Sequence, residues 1–99
     1  MNLDVLQETV DSWIQEHGSG RYRGKFEIMA RMMEELGELA CTLQHTEGLR
    51  RRKTDLQLED ELGDLLFTLA VFANASELRL TDCLNGVMEK YQSQDSPEW

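Results

Sequence analysis

Apolar residues recur at helical spacing along most of this 99-residue chain, and no proline interrupts them before Pro97. Because proline breaks the interior of a helix, its absence from the body of the chain permits long helices. No segment alternates apolar and polar residues strictly enough for a half-buried strand. We therefore predict an all-α fold of four helices that are separated at glycines and followed by a polar tail from about residue 92.

Each predicted helix carries an apolar stripe. In chain order the stripes are Leu3, Leu6, Val10, Trp13 and Ile14; Met29, Met32, Met33, Leu36, Leu39, Ala40 and Leu43; Leu58, Leu62, Leu65, Leu66, Leu69, Phe72 and Ala73; and Leu84, Val87, Met88 and Tyr91. Thr54 and Thr81 are the predicted N-caps of the last two helices. The third helix is apolar nearly all round, so we expect it to be central, covered by its own chain and by a partner.

Length and charge exclude several classes of protein. Residues 1–99 fit a single domain, and so short a domain is expected to complete its core by pairing with a second copy. Nineteen acidic and ten basic side chains give a net charge of −9, which disfavours binding to nucleic-acid polymers. No run of about 18 apolar residues is present to span a membrane, and the acidic N-terminus does not fit a signal peptide. We expect a cytoplasmic protein.

Two acidic pairs lie beside the apolar stripes. Glu35 and Glu38 share one face of the second helix, with Glu34 adjacent, and Glu61 shares one face of the third helix with Asp64. If these helices pack antiparallel, the carboxylates converge and repel one another unless a divalent cation holds them ionised. Oxygen ligands favour Mg²⁺ or Mn²⁺. One such pair is commonly only a solvated face, but two beside apolar stripes favour a metal site.

The residues around these pairs resemble a known signature. EELGELA at 34–40 and ELGDLLF at 61–67 are similar to the ExxE and ExxD motifs of MazG-type nucleoside triphosphate pyrophosphohydrolases, and the resemblance extends from Trp13 into the tail. It implies an all-α unit whose active site is completed in a homodimer or in a dimer of dimers, a homotetramer. The implied reaction converts a (d)NTP and water to a (d)NMP and pyrophosphate and depends on Mg²⁺, which Mn²⁺ can replace.

Carried over residue by residue, the resemblance implies a metal site of four carboxylates: Glu35, Glu38, Glu61 and Asp64. Glu34 is implied as an additional ligand or as a support for the others. A carboxylate that the metal does not fully engage can act as the general base for an attacking water molecule. We assign this role first to Glu38 and second to Glu35.

Substrate-binding residues are predicted elsewhere in the chain. The lysine of the family's fourth helix matches Lys90, which is expected to bind phosphate. Arg31 and the basic run 50–53 are candidates for attracting the triphosphate, although such residues are often only solvated. Asn74 is either a satisfied buried amide or a sugar or base contact. Trp13 is either part of the core or a surface on which a base stacks.

Several functions compete with this interpretation. We favour a hydrolase that prefers dNTPs and either removes aberrant nucleotides or adjusts nucleotide pools. The alternative is a catalytically inactive acidic helical module that binds or regulates a partner, which the presence of all five acidic residues opposes. The absence of Glu-x-x-His motifs opposes a ferritin-like metal protein, and the short length and local motifs oppose an all-α dUTPase. In the family, the position of Gln94 usually holds an arginine or asparagine, and the position of Glu98 commonly holds a basic residue. The tail is therefore expected to bind phosphate less tightly than in other members.

Overall fold

The computed structural model describes residues 1–18, 22–46 and 55–94, and these residues form four α-helices and no strand. The helices are α1 (Leu3–His17), α2 (Lys25–Thr46), α3 (Asp55–Ala75) and α4 (Leu80–Gln92). The prediction of an all-α fold of four helices is confirmed. None of these helices is long and apolar enough to cross a membrane. The basic run 50–53, the predicted cap Thr54 and residues 95–99 lie outside the described residues.

The connection between α3 and α4 corrects one predicted cap. Two backbone hydrogen bonds end α3: the Leu78 N–H donates to the Ala73 carbonyl at 2.9 Å, and the Glu77 N–H donates to the Asn74 carbonyl at 3.1 Å. This pattern is a Schellman motif, with Glu77 at a φ of 57°. The N-cap of α4 is then the next extended residue, Arg79, whose side chain makes no capping hydrogen bond. The prediction that Thr81 is the N-cap is therefore wrong.

A side chain from α1 supplies the missing cap. The Gln7 Oε1 atom accepts a hydrogen bond from the Leu80 N–H at 2.7 Å, so a free amide at the start of α4 is satisfied from another helix. Thr81 lies inside α4, and its hydroxyl donates to Asp4 at 2.9 Å. Asp4 also lies 2.7 Å from the Arg79 guanidinium. These contacts fix α4 against α1 at one end of the molecule.

Gln7 and Asn74 join α1 to α3. The Gln7 Nε2 atom donates to the Asn74 Oδ1 atom at 2.9 Å and to the Leu78 carbonyl at 2.9 Å, while the Asn74 Nδ2 atom donates to the Gln7 carbonyl at 3.1 Å. We call this reciprocal pair the Gln7–Asn74 clasp. Of the two alternatives for Asn74, the structure shows the satisfied, partly buried amide.

α2 and α3 pack antiparallel and form the centre of the structure. Ile28, Glu35 and Thr42 of α2 are buried at seven-residue intervals, which is the spacing of one helix face. The buried residues of α3 are Thr68, Ala70 and Ala73, which lie on more than one face of the helix, and α3 packs against both α2 and α1. The expected central position of α3 is thus confirmed for its contacts within the chain.

One face of the α2–α3 pair is apolar and exposed. Its residues, which we call the apolar face, are Met29, Met33, Leu36, Leu43, Leu62, Leu66 and Leu69, and they are between 39% and 67% exposed. Each of the two stripes is rotated by about 100° from the line of contact between the helices, and antiparallel packing brings both rotations to the same side. These residues were predicted as core, but within one chain α1 covers only the opposite side.

Asn74→Ala tests the clasp. The change removes both hydrogen bonds between Asn74 and Gln7, so we expect the free energy of unfolding to fall by about 1–3 kcal/mol. Asn85→Ala is the matched control, because Asn85 is an exposed helical asparagine of α4; there the expected change is within about 0.5 kcal/mol. Urea unfolding at one fixed protein concentration, followed by circular dichroism, measures both. Equal effects of the two substitutions would contradict a stabilising clasp.

Candidate active site

A cavity of about 850 Å³ lies above α3, between α1 and α2. Its lining includes Trp13, Arg31, Glu35 and Asp64, so four residues that the sequence singled out meet in one place. α1 packs on α3 and α4, which leaves this space open between α1 and α2. The antiparallel packing that was proposed from the two acidic pairs is what brings Glu35 close to Asp64.

Glu35 is the buried charge of the site. Its side chain is 3% exposed, and its Oε1 atom lies 3.0 Å from the Arg31 Nε atom. Its Oε2 atom is buried and has no hydrogen-bond partner. Burial raises the pKa of the Glu35 carboxyl above its ordinary value, the Arg31 guanidinium opposes this shift, and the negative charges of Asp64, Glu38 and Glu34 add to it.

The other predicted ligands differ in burial, and of these Asp64 lines the cavity whereas Glu38 and Glu61 do not. Glu61 is half-buried, and its Oε2 atom is also buried without a hydrogen-bond partner. Glu38 and Asp64 are exposed, and the backbone carbonyl of Asp64 accepts a hydrogen bond from the Thr68 hydroxyl at 2.9 Å. Of the four predicted ligands, Glu35 and Glu61 are thus the more buried, and Glu38 and Asp64 are the more exposed.

The carboxylates provide the oxygen donors that a hard divalent cation prefers, although they are not arranged around a single cation position. Across residues 1–18, 22–46 and 55–94, no three His, Cys, Asp or Glu side chains are arranged as ligands of a single ion. Two buried carboxylate oxygens, Glu35 Oε2 and Glu61 Oε2, nevertheless lack partners, and such atoms destabilise the fold unless a cation or water satisfies them. The exposed Glu38 and Asp64 side chains can rotate toward them. The donor set fits Mg²⁺, and the ligand assignment stays a prediction.

Aromatic rings form the wall of the cavity on the α1 side. Trp13 is 50% exposed and stacks on His17, with ring centroids 4.7 Å apart and planes 18° from parallel. The edge of Trp13 also meets Phe67 at 5.7 Å. Trp13 is therefore not a buried core residue, because half of its surface is exposed. The alternative, a surface on which a base stacks, stays a prediction.

The sequence analysis gave no role to His17 or Tyr22, which also line the cavity. The four-residue spacing from Trp13 to His17 is a signal for their contact on one helix face. Tyr22 lies between helices, where periodicity carries no information. Its hydroxyl donates to the Asp11 carboxylate, and burial together with this hydrogen bond raises the pKa of Tyr22 to about 12.

Two predicted substrate-binding residues do not line this cavity. Asn74 lines a smaller cavity of about 300 Å³ and is engaged in the clasp. Lys90 is exposed on α4, where its Nζ atom lies 5.3 Å from the centre of the Tyr91 ring. Within one chain, the structure therefore does not bring Lys90 to the carboxylates.

The raised pKa of Glu35 predicts a pH-dependent stability. Because this pKa lies above its value in the unfolded chain, the ionised carboxylate opposes folding at a pH above both values, and the penalty vanishes below both. Glu35→Gln should therefore unfold at a higher urea concentration than the wild type at pH 8 with a chelator present. The advantage should narrow as the pH falls toward about 4.

Glu34→Gln is the control for this experiment, because Glu34 is the exposed neighbour of Glu35 and loses the same charge. We expect a much smaller change for it at every pH. A Glu35→Gln protein that is less stable than the wild type at pH 8 would show that the Arg31 ion pair outweighs the cost of burying the charge.

Comparison with known proteins identifies the family. The sequence model of the MazG nucleotide pyrophosphohydrolase domain matches residues 23–97, which include both acidic pairs. The uncharacterized protein YpjD of Bacillus subtilis (strain 168) is 36% identical over an alignment of 97 residues, and the alignment covers 95% of this chain and 86% of that protein.

Two solved structures share the fold. The crystal structure of the Bacillus-conserved MazG protein, described as a nucleotide pyrophosphohydrolase, has a TM-score of 0.81 and 34% identity and covers 97% of this chain and 95% of that one. The structure of the putative pyrophosphatase YpjD from Bacillus subtilis has a TM-score of 0.84 and 33% identity, with coverages of 94% and 97%. The chain therefore belongs to the MazG nucleotide pyrophosphohydrolase family.

Proposed function

We propose that this protein hydrolyses (d)NTPs to (d)NMP and pyrophosphate in a reaction that depends on Mg²⁺. The observation that carries the proposal is the buried Glu35, whose Oε2 atom lacks a partner, in the wall of a cavity of about 850 Å³ that Arg31 and Asp64 also line. A cavity of this volume suits a small-molecule ligand. Membership of a nucleotide pyrophosphohydrolase family supports the class of reaction.

Four carboxylates are proposed to hold the cation: Glu35, Glu38, Glu61 and Asp64, with Glu34 beside them. Mg²⁺ bound there, or Mn²⁺ in its place, would neutralise triphosphate charge and activate a water molecule. The unpartnered oxygens of Glu35 and Glu61 support this assignment, because a cation would satisfy both.

Glu38 is the proposed general base. It is exposed, so its carboxylate can reach a water molecule in the cleft, whereas the Glu35 Oε1 atom is engaged by Arg31. Glu35 is therefore the second choice. The water oxygen forms a bond to the α-phosphorus, the base accepts a water proton, and the bond to the bridging oxygen breaks so that its electron pair leaves with pyrophosphate.

The cavity wall supports a nucleoside as the group attached to the phosphates. Trp13 lines the cavity and is half exposed, so a base could stack on its ring, which is also stacked on His17. A preference for dNTPs over NTPs is also proposed. We propose that this activity removes aberrant nucleotides or adjusts nucleotide pools.

A second copy of the chain is proposed to complete the site. The apolar face of α2 and α3 has the composition of a subunit interface, and large exposed apolar patches mark such surfaces. Lys90 lies away from the cavity of its own chain, so a second copy is the proposed source of this phosphate-binding lysine. The assembly is a homodimer, or a homotetramer if the exposed Leu84 and Met88 of α4 also pair with another copy.

Leu36→Glu tests the interface. Leu36 is 55% exposed at the centre of the apolar face, and a buried glutamate there should weaken association by roughly 10²-fold or more because its charge must be desolvated. Light scattering after size-exclusion chromatography should show a smaller species. Gln15→Glu, on the exposed side of α1, is the control that adds the same charge away from this face. An unchanged mass for Leu36→Glu would contradict the proposed interface.

Product analysis tests the reaction. The protein is incubated with Mg²⁺ and a panel of ordinary and deaminated NTPs and dNTPs in oxygen-18-labelled water. We expect monophosphate and pyrophosphate, with the label in the monophosphate, because water attacks the α-phosphorus. Label in pyrophosphate would move the attack to the β-phosphorus, and diphosphate with phosphate would overturn the proposed bond. No turnover with Mg²⁺ or Mn²⁺ would favour the inactive binding module.

Carboxylate variants test the assigned residues. Glu38→Gln and Asp64→Asn should each lower kcat/KM by about 10²-fold or more, because each removes a proposed ligand or the base. Glu59→Gln is the matched control, since Glu59 is exposed and lies about 200° around α3 from Glu61. A variant at 38 or 64 that keeps wild-type kcat/KM would remove that residue from the site.

A further inference from the structure

Arg31 pairs with one oxygen of the carboxylate that the proposed cation would also bind. Its Nε atom lies 3.0 Å from Glu35 Oε1, and its Nη1 atom lies 3.4 Å from Glu34 Oε2. The two partners of the Arg31–Glu35 ion pair differ in exposure, because the Arg31 side chain is 60% exposed and the Glu35 side chain is 3% exposed. The buried carboxylate is therefore fixed, whereas the guanidinium has room to move.

The positive charge of Arg31 opposes the binding of a divalent cation to Glu35. Glu34, Glu38 and Asp64 surround Glu35 with negative charge, and Arg31 is the basic side chain that pairs with Glu35 among the described residues. A divalent cation on Glu35 would compete with Arg31 for the same carboxylate and would repel its positive charge. Arg31 and the cation are thus alternative counter-ions of one buried carboxylate.

We propose that Arg31 is an exchangeable counter-ion, which neutralises Glu35 before the cation binds and then turns to the triphosphate. This inference rests on the proposed function. Arg31 lines the same cavity as Trp13 and Asp64, so a released guanidinium stays beside a bound nucleotide. Its planar donors match the oxygens of a phosphate group. The ion pair therefore opposes binding of the metal, while the released side chain favours binding of the nucleotide.

The proposal predicts opposite effects of one substitution on two ligands. Arg31→Gln removes the competitor for Glu35, so the Kd for Mg²⁺ should fall by roughly three- to tenfold, the scale of a partly exposed ion pair. The same change removes a phosphate ligand, so the KM for the nucleotide at saturating Mg²⁺ should rise by about tenfold or more. A purely structural role for Arg31 would weaken both interactions together.

Arg23→Gln is the matched control. Arg23 lines the same cavity and pairs with Glu27 across the same four-residue spacing, at 4.0 Å, but both side chains are exposed, at 84% and 68%. This variant loses the same charge without releasing a buried carboxylate, so its Kd for Mg²⁺ should change by less than about twofold. Arg31→Lys keeps the charge and should give a smaller gain in Mg²⁺ affinity than Arg31→Gln. If Arg31→Gln does not fold, Arg31→Lys takes its place in the titration.

Isothermal titration calorimetry of each protein with MgCl₂ and with MnCl₂, without nucleotide, measures the affinity for the metal separately from catalysis. Tighter Mg²⁺ binding by Arg31→Gln together with a raised nucleotide KM supports the exchange. Equal or weaker Mg²⁺ binding overturns it. If the wild type binds Mg²⁺ but hydrolyses no nucleotide, the proposed function alone is overturned. The Mg²⁺ affinities of the wild type and Arg31→Gln then still test the counter-ion exchange. Failure of the wild type to bind either cation overturns both.

Discussion

The burial of one carboxylate between α2 and α3 is the constraint on which the site depends. Glu35 occupies the middle of a buried row whose other members are Ile28 and Thr42, so it stands where an apolar residue would stabilise the helix pair. Arg31 compensates one of its oxygens and leaves the other without a partner. A charge held in this way destabilises the fold, and such conflicts between stability and polarity are typical of functional sites.

The rest of the architecture follows from the two sides of the α2–α3 pair. On one side, α1 lies across α3, held by the Gln7–Asn74 clasp and by the contact of Trp13 with Phe67, and the cavity fills the space left beside α2. On the other side, the apolar face remains exposed within one chain. The cavity with its charged residues and the exposed apolar face thus lie on opposite sides of the same two helices.

Several sequence predictions depended only on local spacing, and these were confirmed. Helical periodicity indicated the four helices because tertiary packing rarely overrides a long, regular apolar stripe. The spacing within each acidic pair placed Glu35 beside the core, where the structure finds it buried. Predictions that depended on which residues meet in the folded chain were less successful. Thr81 is not a cap, because the Gln7 side chain of α1 accepts the hydrogen bond at the start of α4. The same side chain also hydrogen-bonds to Asn74. No spacing rule indicates a contact between residues more than sixty positions apart.

The sequence by itself determined the four helices, the acidic pairs and, through its motifs, the family. Only the tertiary structure decided which carboxylate oxygens are buried without partners, which aromatic ring faces the cavity and which apolar residues remain exposed. The physical reason is that periodicity specifies the faces of a helix but not what covers each face. Trp13 and Leu36 both lie on predicted core stripes, yet both are exposed. Besides α2, α1 packs on α3, and it does so on the side of the cavity. Trp13 therefore borders the cavity, and Leu36 on the other side stays uncovered within one chain.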